Sequence, residues 1–424
     1  MTDINEVVKK KQGYTLHIVK TDKYKTNNLV MKMKAPLDQE TVTLRGLLPH
    51  VMQSSTKTYP NTTKLRTYLD ELYGASFFTD LAKKGEYHIV SFSVEIANEK
   101  FLKDSEPLLE KGLEFLSDVI LNPNIEDDQF DERTVEKEKR NQKVRIQAVY
   151  DDKMRYANSR LVEEMCKDER FALHVNGMKE NVDSINSKEL YEYYQNVISE
   201  DQMDLYVIGD VDIDQVENFC DRLFSLPERK AVQVDSSEVK RKEKENVVKE
   251  KQDVKQGKLN MGYRTNTQFG DKDYFALQVF NGIFGGFSHS KLFINVREKA
   301  SLAYYAASRL ESHKGLMMVM SGIEFKNYDQ AVGIINEQLE AMRNGDFTDG
   351  EVEQTKAVIK NQLLETVDTS RGLIEVLYHN AVSNKQIDLK TWLGEVERTT
   401  KEEIIAAANK VELDTIYFLT GMEE

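Results

Sequence analysis

The sequence predicts an α+β fold made of two similar domains, and three observations support this prediction. The chain has 424 residues, 40% of them hydrophobic, which is too many for one ordinary core and enough for two domains of about 200 residues each. Strand-length runs of apolar or alternating residues are followed by segments in which apolar residues recur at helical spacing. The second half of the chain also repeats the order of these segments in the first half.

The first predicted strands precede the helix that carries His50. Residues 14–19 and 28–34 are apolar or alternating over strand lengths, and the polar residues between them indicate a hairpin of these two strands. From residue 40 the spacing becomes helical, and residues 54–58 end this helix. Its predicted core face consists of apolar residues three or four positions apart, namely Leu44, Leu47, Leu48 and Val51.

The rest of the first half alternates in the same way. Gly74 stops a helix over residues 62–73, and residues 75–81 and 87–96 are predicted to pair as strands around a turn at Gly85. The later predicted elements are helices over residues 102–121, 127–168, 187–197 and 216–226 and a strand over residues 204–210. The helix over residues 127–168 is highly charged, and its predicted apolar side contains Val135, Val144 and Val149.

The internal repeat is clearest in one strand of each half. Residues 84–92 match residues 314–322 in type and order. When the two halves are aligned by this match, the His50 helix aligns with residues 279–281. Both halves also end alike, at residues 205–209 and 416–421. Residues 227–246 contain no aromatic residue and are rich in Lys, Glu, Ser and Val, which is typical of a solvated linker. We therefore predict similar domains at residues 1–227 and 247–424, joined by a charged linker at residues 228–246.

Composition and charge argue against several classes of partner. The 72 acidic and 58 basic side chains give a formal charge of -14, which opposes binding to the phosphate backbone of a nucleic acid. No run of 18 apolar residues occurs, and no apolar run of the signal-peptide kind comes directly after the lysines at residues 9–11, so we expect a cytoplasmic protein that does not enter a membrane. Cys166 and Cys220 lie far apart without CxxC spacing, so we expect buried free thiols.

Four short motifs follow the segment LLPHVMQSS at residues 47–55. They are Asn176-Gly177, VIGDVD at residues 207–212, FGGFS at residues 284–288 and REKASLAY at residues 297–304. In this order and spacing the chain resembles, over nearly its whole length, the pitrilysin and mitochondrial-processing-peptidase family of inverted zincins. The resemblance implies two similar domains, each a mostly antiparallel β-sheet backed by α-helices. It also implies an HxxEH helix with two zinc-binding histidines and a glutamate base, and a glutamate ligand on a later helix.

The zinc motif departs from this pattern after its first residue. With His50 at the first histidine, Gln53 takes the glutamate position and Ser54 takes the second histidine position. Catalytic zinc normally has three protein ligands and a water, and a serine hydroxyl is not a usual ligand. An amide such as Gln53 cannot accept the proton of a zinc-bound water. We therefore expect no bound metal, no other cofactor and no catalytic residue.

The position of the third ligand falls on Arg145 when the family pattern E-K-x-x-x-x-x-E-I is laid on residues 138–146. A guanidinium about 4 Å from a divalent ion would repel it by about 8 kcal/mol at an effective dielectric near 20. Because the spacing between the two helices is longer than usual, a shifted register that brings Glu136 or Glu138 to this position stays open. The other histidines are not spaced to join His50 at a metal site; they are His17, His88, His174, His289, His313 and His379.

The resemblance also implies positions that contact peptide. Arg297 and Tyr304 match residues that reach the peptide in active relatives, and the alternative is a surface arginine and a core tyrosine. In those relatives the peptide adds as a strand beside the segment after Gly74, which here contains Phe77 and Phe78 but lacks the usual Asn-Ala pair. Residues 285–288 are rich in glycine but lack phosphate-loop spacing, so a turn between helices explains them better.

Three functional hypotheses follow from this resemblance. The leading one is a catalytically inactive homologue that serves as the peptide-binding or structural subunit of a dimeric metallopeptidase, with a paralogous active zinc peptidase as partner. The second is a homodimer that binds peptides or acts as a scaffold without an enzyme. The third, a zinc metalloendopeptidase with atypical ligands, is disfavoured by Gln53 and Ser54. The sequence leaves the first two open.

Overall fold

The computed structural model describes residues 4–103, 107–229 and 244–422, which form two compact units. Among these residues, the first unit contains those up to 147, those from 173 to 229 and residues 369–374. The second unit contains residues 148–172, 244–368 and those from 375 onward. Residues 148–172 therefore pack with the second unit, whereas the sequence-based division placed them in the first domain. Most of the predicted linker, residues 230–243, lies outside the described residues.

The first unit is built on a six-stranded sheet with the strand order β1-β2-β8-β3-β5-β4. A separate short hairpin is formed by β6 and β7. The strands are β1 (Glu6–Lys11), β2 (Tyr14–Lys20), β3 (Thr26–Pro36), β4 (Ser76–Lys84), β5 (Tyr87–Ala97), β6 (Ile125–Glu126), β7 (Gln129–Phe130) and β8 (Gln202–Gly209). The strand β4, at one end of this order, pairs with β5 as predicted.

The predicted hairpin of β2 and β3 is wrong. The strand β8 lies between them and pairs in parallel with β2 and antiparallel with β3. Met203 and all the residues that follow it in β8 are buried, as expected for a continuous apolar run, which favours a central position in a sheet. The partner of β2 on its other side is β1, which the sequence analysis did not predict, and Gly13 turns between them at φ +78°.

Helices cover one face of the first sheet, and their positions follow the predicted order. They are α1 (Val42–Met52), α2 (Thr62–Glu71), α3 (Leu108–Leu121), α4 (Glu132–Asp151), α6 (Lys179–Val182), α7 (Ser187–Glu200) and α8 (Ile213–Leu223), while α5 (Lys153–Met165) lies in the second unit. The helix predicted at residues 127–168 is thus α4 and α5. The predicted apolar side was wrong at Val144, which is 67% exposed, because the helical repeat instead buries Gln142 and Ile146.

The second unit repeats this architecture. Its strands are β9 (Asn246–Lys251), β10 (Gly257–Arg264), β11 (Ala303–Glu311), β12 (Leu316–Ile323) and β13 (Glu412–Thr420), in the order β9-β13-β10-β12-β11. This is the order β2-β8-β3-β5-β4 of the first sheet, and β13 pairs in parallel with β9 as β8 does with β2. Gly85 and Gly315 turn between equivalent strands, both at positive φ. The duplicated, mostly antiparallel units are therefore confirmed.

The second half contains six described α-helices, of which α9 precedes the glycine-rich segment. They are α9 (Tyr274–Asn281), α10 (Tyr328–Arg343), α11 (Asp349–Thr366), α12 (Ser370–Ser383), α13 (Leu389–Arg398) and α14 (Lys401–Lys410). The glycines after α9 continue it as a wide helical turn over residues Gly282–Gly286, which agrees with a turn rather than a phosphate loop. No helix within the described part of the chain is both long and apolar enough to cross a membrane.

A buried ion pair fixes α1 against the first sheet. The Arg45 guanidinium donates to the Asp201 carboxylate over 2.6 Å and to the backbone carbonyls of Met33 and His88 over 3.0 and 3.3 Å. Both charged side chains are almost fully buried. Because these contacts join α1 to β3, to β5 and to the residue that follows α7, they set the position of the helix that carries His50.

A second buried network holds residues 148–172 in the second unit. The carboxylate of Glu169 accepts from Arg264 over 2.5 Å and from Lys314 over 2.5 Å, and Arg264 also donates to Asp414 over 2.9 Å. Beside it, α5 places Leu161 and Met165 among buried apolar residues of the second sheet. The two neighbouring cations lower the pKa of Glu169 against the opposing effect of burial.

Replacing Glu169 should therefore destabilise the second unit. In Glu169→Gln, Arg264 and Lys314 stay buried without their shared carboxylate, and we expect a loss of about 3 kcal/mol in the free energy of unfolding. Urea unfolding followed by the fluorescence of Trp392, the single tryptophan of the chain, measures this change. The control is Glu163→Gln. The partner of Glu163 is Arg160, which is more exposed than Arg264, so the loss of this ion pair should cost less than about 1 kcal/mol. Equal unfolding midpoints for the two variants would contradict this assignment.

Candidate functional site

The candidate site lies at the carboxyl end of α1. Leu47, Leu48 and Val51 are buried in the core as predicted, so the opposite side of the helix presents His50 and the residues that follow it. The helix ends at Met52, and the backbone N–H of Gln53 donates to the carbonyl of Pro49 over 2.9 Å. The apolar spacing of the sequence thus determines which residues of the degenerate motif face away from the core.

These residues border a cavity of about 220 Å³ in the first unit. Its polar walls are formed by His50, Gln53, Ser54, Thr62, Arg66, Lys137 and Glu138, and its apolar walls by Leu65, Leu69 and Phe77. Residues from α1, α2, α4 and the end strand β4 therefore meet at one place. The structure brings together His50, Gln53, Ser54 and Phe77, all of which the sequence analysis singled out.

Gln53 and Ser54, which stand at two positions of the zinc motif, form hydrogen bonds within the first unit. Gln53 accepts from the Thr79 hydroxyl over 2.9 Å and donates from Nε2 to the carbonyl of Phe77 over 3.4 Å. The Ser54 hydroxyl donates to the carbonyl of His50 over 3.0 Å. Gln53 thus ties α1 to β4, and the Ser54 proton points back to its own helix.

The α4 side of the cavity contains both Glu138 and, close by, Arg145. Glu138 is buried, and its carboxylate accepts from the Asn141 amide over 3.1 Å and lies 3.4 Å from the Lys137 ammonium. The Arg145 guanidinium lies 3.8 Å from the same carboxylate. Of the two glutamates in the alternative register, Glu138 borders the cavity and Glu136 forms an ion pair with Lys139 over 2.7 Å.

The electrostatic surroundings keep His50 neutral. Burial, followed by the positive charge of Arg145, lowers the pKa of the His50 imidazole to about 4, against a smaller opposing effect of Glu138. Burial also lowers the pKa of Arg145, whose Nε and Nη2 atoms have no hydrogen-bond partner among the described residues. A positive side chain therefore adjoins the position that a metal cation would need.

The residues present do not fit a zinc ion. Within the described residues, no group of three or more His, Cys, Asp or Glu side chains is arranged to hold a metal. The cavity offers one imidazole and the Glu138 carboxylate, whereas a catalytic zinc needs three protein ligands and an open position. Glu138 is already bound to Asn141 and Lys137, and Gln53 offers no basic group to activate a water.

The remaining histidines lie elsewhere, and the two ring nitrogens of His88 have no hydrogen-bond partner among the described residues. His17 contacts the carboxylates of Glu6 and Asp204 at 2.7 and 3.2 Å, and His289 contacts the Thr355 hydroxyl at 2.8 Å. His313 and His379 share a hydrogen bond of 2.7 Å. Burial lowers the pKa of His88 well below its usual value, followed by the Arg45 and Lys83 charges. His174 is partly buried, and burial followed by the Lys83 charge lowers its pKa as well. None of these histidines borders the cavity beside His50.

The predicted peptide-contacting residues of the second half are exposed. Arg297 lies on a wide helical turn over residues Phe293–Lys299, with its guanidinium 4.5 Å from the centre of the Phe293 ring. Tyr304 is 81% exposed near the start of β11, so the alternative of a core tyrosine is wrong. Both residues belong to the second unit.

Phe77 and Phe78 point to opposite faces of β4, as neighbours in a strand do. The Phe77 ring packs edge-on against Phe115 at 5.1 Å, on the helix side of the sheet. The Phe78 ring lies 5.3 Å from the Arg371 guanidinium, which also lies 3.8 Å from Asp80. Only Phe77 therefore contributes to the cavity beside His50.

Sequence reasoning did not identify Arg66, Lys137 and Thr79 as residues of this site. Thr79 shares its strand face with Phe77, two positions away, so the period of a strand could have indicated it. Lys137 precedes Glu138 on α4, and the alternative register pointed to that part of the helix. No pattern in the sequence indicated Arg66, because only the packing of α2 beside α1 brings this residue to the cavity.

The fold and the site define a chain of the metallopeptidase type in which the described residues do not provide a complete set of zinc ligands. Comparison with protein families matches residues 40–179 to "Insulinase (Peptidase family M16)" and residues 184–359 to "Peptidase M16 inactive domain". The chain is 56% identical over 423 residues to the Bacillus subtilis "Probable inactive metalloprotease YmfF", covering 100% of this chain and 99% of that protein. The chain belongs to the M16 peptidase family.

Other relatives and solved structures agree with this assignment. The Bacillus subtilis "Uncharacterized zinc protease YmxG" is 23% identical over 298 residues, which cover 68% of this chain and 67% of that protein. The crystal structure of a conserved protein from Enterococcus faecalis has a TM-score of 0.92 at 36% identity, and the match covers 99% of each chain. A protease from Helicobacter pylori, at 16% identity and a TM-score of 0.80 over 99% of this chain and 100% of its own, shares the fold.

Restoring the replaced ligands should create a zinc site beside His50. Ser54→His combined with Arg145→Gln supplies a second imidazole beside His50 and Glu138 and removes the nearby positive charge, so we expect about one zinc ion per chain. Elemental analysis of dialysed protein measures the zinc content.

The matched control is Ser54→His with Arg140→Gln, which removes an equal charge from an exposed position of α4 and should bind much less zinc. Stoichiometric zinc in the wild-type protein that disappears in His50→Ala would show that the native residues do hold the metal.

Protonation of two partly buried histidines should reduce stability at mildly acid pH. The pKa of His50 and that of His174 are each about 4 in the folded chain, below the usual 6.5. The unfolded chain therefore binds more protons than the folded chain between about pH 4 and pH 6.5. Stability is then highest above about pH 6.5 and falls toward about pH 4. His50→Gln with His174→Gln should reduce the fall between about pH 6.5 and 5 by about 1–2 kcal/mol per histidine.

Urea unfolding at a series of pH values measures this dependence. His17 acts in the opposite direction, because hydrogen bonds to Asp204 and Glu6 raise its pKa against the larger single effect of burial. An unchanged pH dependence in the double variant would mean that His50 and His174 are not neutral and buried in the folded protein.

Proposed function

We propose that this chain is a catalytically inactive metallopeptidase homologue that acts as the non-catalytic, peptide-binding subunit of a dimeric metallopeptidase. The observation that carries the proposal is the cavity at His50, where the elements that would face a peptide are kept while the metal ligands and the base are replaced. The name of the Bacillus subtilis relative, a probable inactive metalloprotease, supports the absence of catalysis.

The strand β4 is the proposed place where peptide binds. It lies at one end of the sheet, and the backbone groups along its outer edge can pair with an extended peptide. Phe77 and Thr79 connect this strand to the cavity, the first as part of its wall and the second through its hydrogen bond to Gln53. A peptide beside β4 would therefore pass the former zinc position without meeting a nucleophile.

The proposed partner is a homologue that keeps the complete zinc motif. The family resemblance implies that chains of this length pair, since each supplies two of the four domains that enclose a peptide. Relatives named as a probable inactive metalloprotease and as an uncharacterized zinc protease both come from Bacillus subtilis strain 168, which supports the idea that such chains occur together in one organism. In such a pair the partner supplies the zinc and this chain supplies peptide contacts, among which we place Arg297 and Tyr304.

A homodimer that binds peptides without an enzyme is the second candidate. The exposed side chains of Arg297 and Tyr304 and the position of β4 at the end of its sheet would serve that role equally well. The two candidates differ in whether a zinc-bearing homologue joins the complex, so the composition of the complex separates them.

Mixing the chain with a zinc-bearing homologue from the same organism tests the proposal. We expect an equimolar complex in sedimentation analysis and faster cleavage of a quenched fluorescent peptide than by the homologue alone, while this chain alone cleaves nothing. Arg297→Ala should reduce the added activity several-fold and leave the complex intact, because a planar donor fork is lost from the peptide path.

The control for Arg297 is Lys299→Ala, which removes a neighbouring exposed cation that contacts Asn295. A chain that associates only with itself would favour the homodimer. Peptide cleavage by this chain alone, abolished in His50→Ala, would overturn the proposed lack of catalysis.

A further inference from the structure

The cavity beside His50 has a positive character that the replacement of a zinc site does not require. Arg66 and Lys137 line it and Arg145 adjoins it, whereas Glu138 is the single acidic side chain among its described lining residues. The chain as a whole carries a formal charge of -14. Cationic side chains are therefore concentrated at one cavity of an otherwise acidic protein, which favours an anionic ligand there.

Arg66 is the group available to such a ligand. It lies on α2 with an exposed side chain, and within the described residues it takes part in no hydrogen bond and no ion pair. An arginine guanidinium presents parallel N–H groups that match the two oxygens of a carboxylate. Nothing within the described part of the chain occupies these donors at Arg66.

The acidic residue of the cavity does not neutralise Arg66, because it already has partners. The Glu138 carboxylate contacts Asn141, Lys137 and Arg145 at 3.1, 3.4 and 3.8 Å, and it is buried. His50 carries no charge near neutral pH, since its pKa is about 4. The cavity thus keeps a net positive charge with one free guanidinium at its wall.

The apolar walls indicate what kind of anion fits. Leu65 and Leu69 follow one side of α2, next to Arg66 in sequence, and Phe77 closes the cavity from β4. The cavity volume of about 220 Å³ accommodates one side chain with aliphatic carbons and a terminal carboxylate. A compact, fully hydrated anion would gain nothing from these apolar walls and would lose part of its hydration.

The strand register determines which residue of a peptide reaches the cavity. In an antiparallel or parallel pair, side chains that lie opposite each other point to the same face of the sheet. Phe77 points to the cavity, so the peptide residue opposite Phe77 also points there, while its two neighbours point to the face of Phe78. One position of the peptide should therefore be selected by the cavity.

We propose that this cavity binds the side-chain carboxylate of an acidic residue in a peptide extended along β4, so that a site that binds a cation in related enzymes accepts an anion in this chain. The proposal rests on the proposed binding of peptide at β4 and specifies the substrate class. It also gives Arg145 a role, because its charge stabilises an anion where it would repel a metal.

Binding of peptide pools to the full-length chain tests this proposal. Acetylated and amidated nonapeptide pools, randomised at all positions except a central Glu, Gln, Asp, Asn or Lys, are compared by fluorescence polarisation at low salt. We expect the Glu pool to bind about tenfold more tightly than the Gln pool, as is typical of a charge-assisted hydrogen bond in place of a neutral one. Raising the salt concentration should reduce this preference.

Variants on α2 assign the preference to Arg66. Arg66→Ala should remove the difference between the Glu and Gln pools, and Arg66→Lys should keep part of it. The matched control Lys64→Ala removes an equal charge from an exposed position of the same helix that does not line the cavity, and it should keep the full difference. Circular dichroism confirms that the variants are folded.

The outcomes separate this proposal from the one on which it rests. Equal binding of the Glu and Gln pools to the wild-type chain would overturn the carboxylate site while leaving peptide binding at β4 in place. A preference for Glu that survives in Arg66→Ala would also overturn it. Absence of binding by every pool would overturn the binding of peptide by the isolated chain, and this proposal with it.

Discussion

The insertion of a late strand into the middle of each sheet is the constraint on which both units depend. The strand β8 separates β2 from β3, and β13 separates β9 from β10, so neither sheet is complete until its last strand has arrived. Contacts between residues this far apart in sequence are costly in chain entropy and form slowly. The buried apolar character of β8 and β13 offsets that cost, because each is a central strand covered on both faces.

Packing within the first unit explains why α1 is kept although the zinc motif on it is incomplete. The helix packs Leu47, Leu48 and Val51 into the first core, and Arg45 joins it to three other parts of the unit through a buried ion pair. Removing such contacts would destabilise the fold, whereas replacing zinc ligands on the outer side of the helix would not. Selection for the fold and selection for catalysis thus act on different faces of the same helix.

Local patterns in the sequence predicted most elements and the duplication, but not the pairing of strands that are distant in sequence. Residues 14–19 and 28–34 look like a hairpin because nothing in them reveals that β8 comes between. The exposed Val144 shows the same limit, since apolar character alone did not identify the buried side of α4. At the site, His50, Gln53 and Ser54 followed from a motif, whereas Arg66 depends on how two helices pack and has no local signature.

The assignment of α5 to the second unit has a consequence for how the chain is made. Leu161 and Met165 form the apolar side of this helix, and the second sheet covers them. The helix is synthesised well before this sheet is complete, because β13 is the last strand of the sheet. At about 5–20 residues per second the helix waits for roughly ten seconds or longer with its apolar surface uncovered. A fragment cut at residue 227 would keep that surface exposed permanently, so the two similar halves are not separable pieces of the polypeptide.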